Sequence, residues 1–233
     1  MARAFGTGEV LGTMTSVVSD HSREVGIFTA VIGGMGVLGI LAGFTQVSEL
    51  DATIGFGTTM DSSQSLGSNL YQLVAFIVSL LANFWLLREM LRSDGVTGGG
   101  FWTYLGMSIV AGIGVIVGMI LLIVPGIFVL VRWSAANGYV VRQGMGAIDS
   151  LKASWQATSG HGLAIFLAGL ILVIGLIVVS AVLAGITALM SAIVGGIIAV
   201  LLNALGGALA LAFSVGVYRL VSDGAHEAAA VFE

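Results

Sequence analysis

Few residues in this chain are equipped for chemistry, and Arg132 leads them. It stands in the apolar run IVPGIFVLVRWSAANGYVV, residues 123–141, seven positions after the only proline, Pro125. A guanidinium stays protonated in proteins, so it can hold a phosphate or carboxylate, or tie its own helix to backbone carbonyls. Val-Pro-Gly predicts a tight turn, and at ~1.5 Å per helical residue Arg132 falls roughly 10 Å from it. A charge that deep in an apolar span is a candidate lipid or anion site. The competing reading is structural: the side chain snorkels to the near surface beside Trp133, or locks onto carbonyls, Glu89 or Asp94. Asn83 and Asn203 are the other strongly polar residues within apolar runs, where carboxamides bond between helices or line a path. Asn137, beside Gly138, suggests a kink or break, and broken helices can coordinate ligands. No aspartate or glutamate lies deep in such a run, which argues against proton- or ion-coupled transport.

Other chemistries find little material. The chain has no cysteine, which removes disulfides, thiolate metal sites and cysteine nucleophiles together. His21 and His161 stand at the edges of apolar runs, where a histidine is better read as an interfacial polar residue than as a metal or haem ligand. Glu49, Asp51 and Asp61 lack the spacing of a calcium loop. The stretch VTGGG (96–100) lacks the lysine of a phosphate-binding loop, and no nucleophile-elbow, zinc-protease or kinase pattern occurs. We therefore assign no catalytic residue, no metal site and no cofactor, and we expect no enzyme. With a net charge of −4 and no basic cluster, nucleic acid is not an expected partner.

The elements that must position these residues follow from composition. The 233 residues are 58% hydrophobic and only 9% charged, with a mean hydropathy of +1.09, against roughly 25% charged in soluble domains. Glycine, at 35 residues, lets apolar helices approach closely, and Gly39/Gly43 and Gly114/Gly118 form GxxxG pairs. A span needs about 20 apolar residues, which predicts six spans near 25–47, 69–91, 101–124, 126–142, 161–185 and 192–218. Of the basic residues, Arg3, Arg23, Arg88, Arg92, Arg142, Lys152 and Arg219 fall on one side of this threading, and only Arg132 is internal. The connection SELDATIGFGTTMDSSQSLGSN on the other side is acidic, so both termini are expected to face the cytoplasm. Residues 1–24 mix charged and apolar positions and lack a signal-peptide core, so no cleavage is expected.

An internal repeat is also predicted. TMTSVVSDHSREVGIFTAVIGG aligns with ASWQATSGHGLAIFLAGLILVI, His21 over His161, and MLRSDG (90–95) matches RLVSDG (219–224). This divides a single membrane domain, 1–233, into a first half-repeat (1–95), a central Pro-Gly helical hairpin (96–142) and a second half-repeat (143–233). Each half would open with an interfacial amphipathic helix. The first carries Val10, Met14, Val17, Val18, His21 and Val25 on one face; the second carries a weaker stripe of Ile148, Leu151, Trp155 and Thr158 beside Lys152 and Gln156, with His161 at its end. The fold class is thus all-α integral membrane, with about six transmembrane helices and two interfacial helices.

Val124-Pro125-Gly126, then Arg132-Trp133-Ser134, then Ser154-Trp155 with Thr158 and Gly160-His161, form a run of about 45 residues. It resembles a bacterial polytopic membrane family that includes the membrane domain of some glycerophosphodiester phosphodiesterases and YciC-type inner-membrane proteins. The resemblance implies a multi-pass protein of the bacterial inner (plasma) membrane and brings no secure activity, since the phosphodiesterase chemistry belongs to a separate soluble domain. One departure is NGYVVRQG, where the family pattern has a proline and an acidic residue. The expected role is an accessory or scaffolding subunit, or a factor in envelope and lipid organisation. Its partners would be the lipid bilayer and other membrane subunits or a second copy. The alternative is a transporter or channel for a lipid or small anionic solute using Arg132.

Overall fold

The computed structural model describes residues 5–44, 66–92, 98–187 and 191–230. The described elements are α1 (Thr7–Asp20), α2 (Ser22–Leu41), α3 (Leu66–Arg92), α4 (Phe101–Leu121) and α5 (Ile123–Arg132), followed by α6 (Ala136–Val141), α7 (Ala147–Ala157), α8 (Gly162–Thr187) and α9 (Ala192–Ala230). Among the described residues, six stretches are long and apolar enough to cross a membrane: α2, α3, α4, the pair α5–α6 as Ile123–Val141, α8, and Ile193–Ser222 of α9. The chain is an all-α, multi-pass membrane protein, as its hydropathy predicts. The acidic connection with Glu49, Asp51 and Asp61, residues 93–97 and half of ITALMS (188–190) lie outside the described residues.

Local chemistry sets the helix ends. At the start of α1, the Gly6 N–H donates to the Glu9 carboxylate at 2.9 Å, which satisfies one of the orphan donors of a helix N-terminus. α2 stops at Gly43, whose φ of +71° accompanies bonds from Phe44 N to Gly39 O and from Gly43 N to Ile40 O. That is the Schellman arrangement, and only glycine enters that φ region without cost.

The Val-Pro-Gly sequence is not the turn. The chain bends at Leu122 (φ −167°, ψ 142°), between α4 and α5, and Pro125 is the third residue of α5. Proline is tolerated there because a first-turn N–H has no helical acceptor to lose. Gly126 has a packing role: a Cβ on it would stand 2.6 Å from Met119 Cγ, and a Cβ on Gly118 would stand 2.9 Å from Gly126 Cα. A Cβ on Gly114 would meet the Trp133 ring at 2.4 Å. The Gly114/Gly118 pair therefore seats α4 against the chain's own α5 and Trp133.

Two compact units emerge, and each draws on both halves of the sequence. The first comprises Met1–His21, Leu87–Ile171 and Leu211–Glu233, and the second Ser22–Leu86 and Leu172–Ala210. In the first, Val10, Val17, Leu87, Met90, Leu91, Val140, Val141, Val215 and Tyr218 are buried. The apolar stripe of α1 is covered by protein here; Gly216 lets it in, since a Cβ there would lie 3.1 Å from Met14 N. In the second unit, Gly33 and Gly36 of α2 face Leu201 and Val200 of α9, and the Tyr71 hydroxyl donates to the Met35 carbonyl. Its outer positions, such as Leu73, Ile77, Leu81, Ile177 and Val182, are exposed apolar side chains of the kind a bilayer covers.

Candidate functional site

The spans crowd their chemistry into one interruption. α5 ends at Arg132 and α6 begins at Ala136, with Trp133 near φ −98°, ψ 6°. This is the break that Asn137-Gly138 suggests, displaced a few residues upstream. A broken helix frees backbone groups, and away from water each must find a partner.

Three hydroxyls from two other helices supply them. Ser154 Oγ on α7 donates to the Arg132 carbonyl at 2.7 Å and accepts from Ala135 N at 3.2 Å. Thr158 Oγ1 reaches the same carbonyl at 3.2 Å, although its shorter bond, 2.8 Å, goes to Ser154 O. Ser214 Oγ on α9 donates to Ser134 O at 2.6 Å and accepts from Asn137 Nδ2 at 3.0 Å. Ser154 and Thr158 are fully buried and Ser214 nearly so. The buried face of α7 is thus Ser150, Leu151, Ser154 and Thr158, while Ile148 and Trp155 are exposed. Small hydroxyl residues let α7 approach the break; a face of Ile and Trp would hold it away.

Below the break, α6 closes against Tyr218. The Tyr139 and Tyr218 rings meet edge to face at 5.1 Å, the Tyr218 hydroxyl accepts from Gln143 Nε2 at 3.0 Å, and Arg219 Nη2 donates to Met90 O at 2.9 Å. Gly138 permits the contact, since a Cβ there would be 2.0 Å from Tyr218 Cγ.

The Arg132 side chain does something different. Its Cζ lies 5.0 Å from the Phe128 ring centroid and 5.6 Å from that of Trp155, and these two rings meet edge to face at 5.5 Å. Nε and Nη1 are buried and have no hydrogen-bond acceptor among the described residues. Glu89 is paired with Arg92 at 3.5 Å, so the expected lock of Arg132 onto Glu89 is not made; Asp94 lies outside the described residues. Two aromatic faces take the place of a counter-ion, an arrangement worth up to about 2 kcal/mol when desolvated.

The remaining predicted residues distribute as follows. Arg132 and Asn137 come together at the break. Asn83, half-buried, and Asn203, exposed, belong to the second unit. Val10, Met14 and Val17 are buried on α1 and Leu151 on α7, whereas Trp155 is partly exposed. His21 closes α1, its Nδ1 at 3.0 Å from Val17 O, and the His161 ring stacks on Phe5 at 4.1 Å. No group of three or more acidic or histidine side chains comes together among the described residues. A groove of about 350 Å³ in the first unit is lined by Val110, Trp133, Ile148, Leu151, Lys152, Trp155 and Gln156. One of about 300 Å³ in the second is wholly apolar, between Ile27, Phe28, Val31, Val78, Leu81, Ala82 and Trp85. Sequence reasoning missed Ser214 and Tyr218, because a serine or tyrosine in an apolar helix carries no spacing that names its partner. No protein-family model, no curated protein and no solved structure matches the chain.

Proposed function

We propose that this membrane protein is non-catalytic: an accessory or scaffolding subunit, or a factor in lipid and envelope organisation, in a bacterial inner membrane. The observation that carries this reading is the fate of its polar groups. The hydroxyls of Ser154, Thr158 and Ser214 and the carboxamide of Asn137 are engaged with one another and with the freed backbone at the α5–α6 break. Neither groove is lined by Arg132, Asn83 or Asn203. A molecule that uses its intramembrane polar side chains to hold its own helices offers a shaped apolar surface to lipid and neighbouring helices. The family resemblance agrees in kind, since Arg132, Ser134, Ser154 and Thr158, which carry it, all belong to the break. The transport reading retains one supporting observation: Nε and Nη1 of Arg132 have no acceptor among the described residues.

Two measurements test this. The full chain, extracted in mild detergent, is expected to co-purify with partner membrane proteins in fixed proportion; if the pure chain alone, in vesicles, moved a labelled phospholipid or a small anion across the bilayer, transport would be the right reading. For the threading, the absence of native cysteine allows single labels. Gly8→Cys and Ser159→Cys are expected to react from the cytoplasmic side and Ser62→Cys from the opposite side, by the distribution of basic residues. Labelling of Ser62→Cys and Ser159→Cys from a common side would overturn that orientation.

A further inference from the structure

The helix break consumes the carbonyl of Arg132 and leaves its guanidinium unspent. Nε and Nη1 have no acceptor among the described residues, and the two rings over Cζ present π faces, which attract a cation but cannot accept from its N–H edge. Nε and Nη1 lie on different edges of the guanidinium, each shared with Nη2, and either edge is a planar fork suited to two oxygens of one phosphate or carboxylate. Its aromatic covers are themselves only partly buried, Phe128 at 47% exposed and Trp155 at 39%.

Trp155 also joins the guanidinium to a second feature. On α7 it walls the groove of about 350 Å³ whose other sides are Val110, Trp133, Ile148 and Leu151, with Lys152 among the lining residues. Lys152 reaches Asp149 only at 4.0 Å, with both side chains at least 70% exposed, and such a surface pair is worth little. Its ammonium is therefore available to an incoming anion. A buried fork, a mobile cation and an apolar trough thus share one tryptophan, all within the first unit.

We propose that this is a binding site for an anionic glycerophospholipid, with its phosphodiester on the Arg132 fork, the same negative charge attracted by Lys152 and an acyl chain along the groove. Free phosphate would satisfy the fork and leave the groove uncovered, whereas a hydrocarbon would do the reverse. An amphipathic anion does both. A zwitterionic choline lipid carries its own cation to the place Lys152 occupies, so the site should prefer a net-negative headgroup. The inference rests on the lipid-organising reading only for its membrane setting.

The test uses the full chain, purified in mild detergent and titrated with dioleoyl-phosphatidylglycerol, dioleoyl-phosphatidylcholine or inorganic phosphate, with bound lipid counted by native mass spectrometry. Phosphatidylglycerol is expected to bind the wild type in preference to the choline lipid. Arg132→Gln should weaken it about tenfold or more, as loss of a charge-assisted fork implies, and Arg132→Lys, which keeps the charge without the fork, should fall between. Ile148→Glu places a carboxylate at a half-exposed wall of the groove. It should weaken phosphatidylglycerol at unchanged melting temperature, which keeps the test decisive if the arginine variant misfolds. Equal binding of both lipids, wild-type binding by folded Arg132→Gln or by Ile148→Glu, or phosphate binding without lipid would each overturn the proposal. Co-purification of partner proteins is scored separately, so a failure here is distinguishable from a failure of the scaffold reading.

Discussion

Gly138→Val is expected to cost about 3 kcal/mol, the upper end of what overpacking a close-fitted core costs, and so to remove most folded protein from a detergent extract. The new Cβ would stand 2.0 Å from Tyr218 Cγ, 2.3 Å from Cδ2 and 2.6 Å from Cβ. Relief by movement of the ring is blocked, because Tyr218 is 1% exposed, is held edge to face by Tyr139 and accepts a bond from Gln143. Size-exclusion profiles and melting temperature in detergent measure the loss. Adding Tyr218→Ala to Gly138→Val should restore part of it, since neighbours that clash are not additive. A single variant that melts with the wild type would show that α6 and Tyr218 do not pack as described.

The second large effect is expected at Ser154. Ser154→Ala keeps the β-carbon but withdraws both the donor to Arg132 O and the acceptor for Ala135 N. Two buried backbone groups are then orphaned, at about 1–3 kcal/mol each. An ordinary side-chain bond between membrane helices averages only ~0.6 kcal/mol. A loss well above that figure would therefore mark Ser154 as the partner of a broken backbone, whereas a loss at or below it would sink that assignment. Ser214→Ala serves the same break through Ser134 O. The pair should couple: once one hydroxyl is gone and residues 133–135 loosen, removing the second should cost less than it does alone. Hydrogen exchange over 132–138, followed beside melting temperature, separates loosening of the break from general instability.

These two residues show how far the sequence could be read. Asn137-Gly138 announced a discontinuity, and the freed backbone groups fall within a few residues of it. Ser154 and Thr158 stood in plain view as part of a Ser-Trp-x-x-Thr pattern, yet nothing in that pattern says which carbonyl a hydroxyl will meet. Ser214 had no pattern at all, and its partner lies 80 positions upstream. For α7, the stripe that reads as interfacial is Ile148, Leu151, Trp155 and Thr158; the structure buries Leu151 and Thr158 together with Ser150 and Ser154, and leaves Ile148 and Trp155 exposed. For α1 the stripe did coincide with the buried face, at Val10, Met14 and Val17. The Pro125 reading erred because proline is equally at home in a turn and in the first turn of a helix.

Amino-acid order dictates whatever depends on the medium. Runs of about 20 apolar residues have one comfortable solvent, and in that solvent only a helix satisfies its own backbone, so the six spans and the all-α class were legible without coordinates. Only the packed molecule shows which face of each span meets protein and which side chains rescue the broken backbone. In water an apolar stripe points to the core. In a bilayer both surroundings are apolar, the stripe loses its meaning, and small hydroxyl or glycine positions, whose partners lie far away in the chain, determine the packing instead.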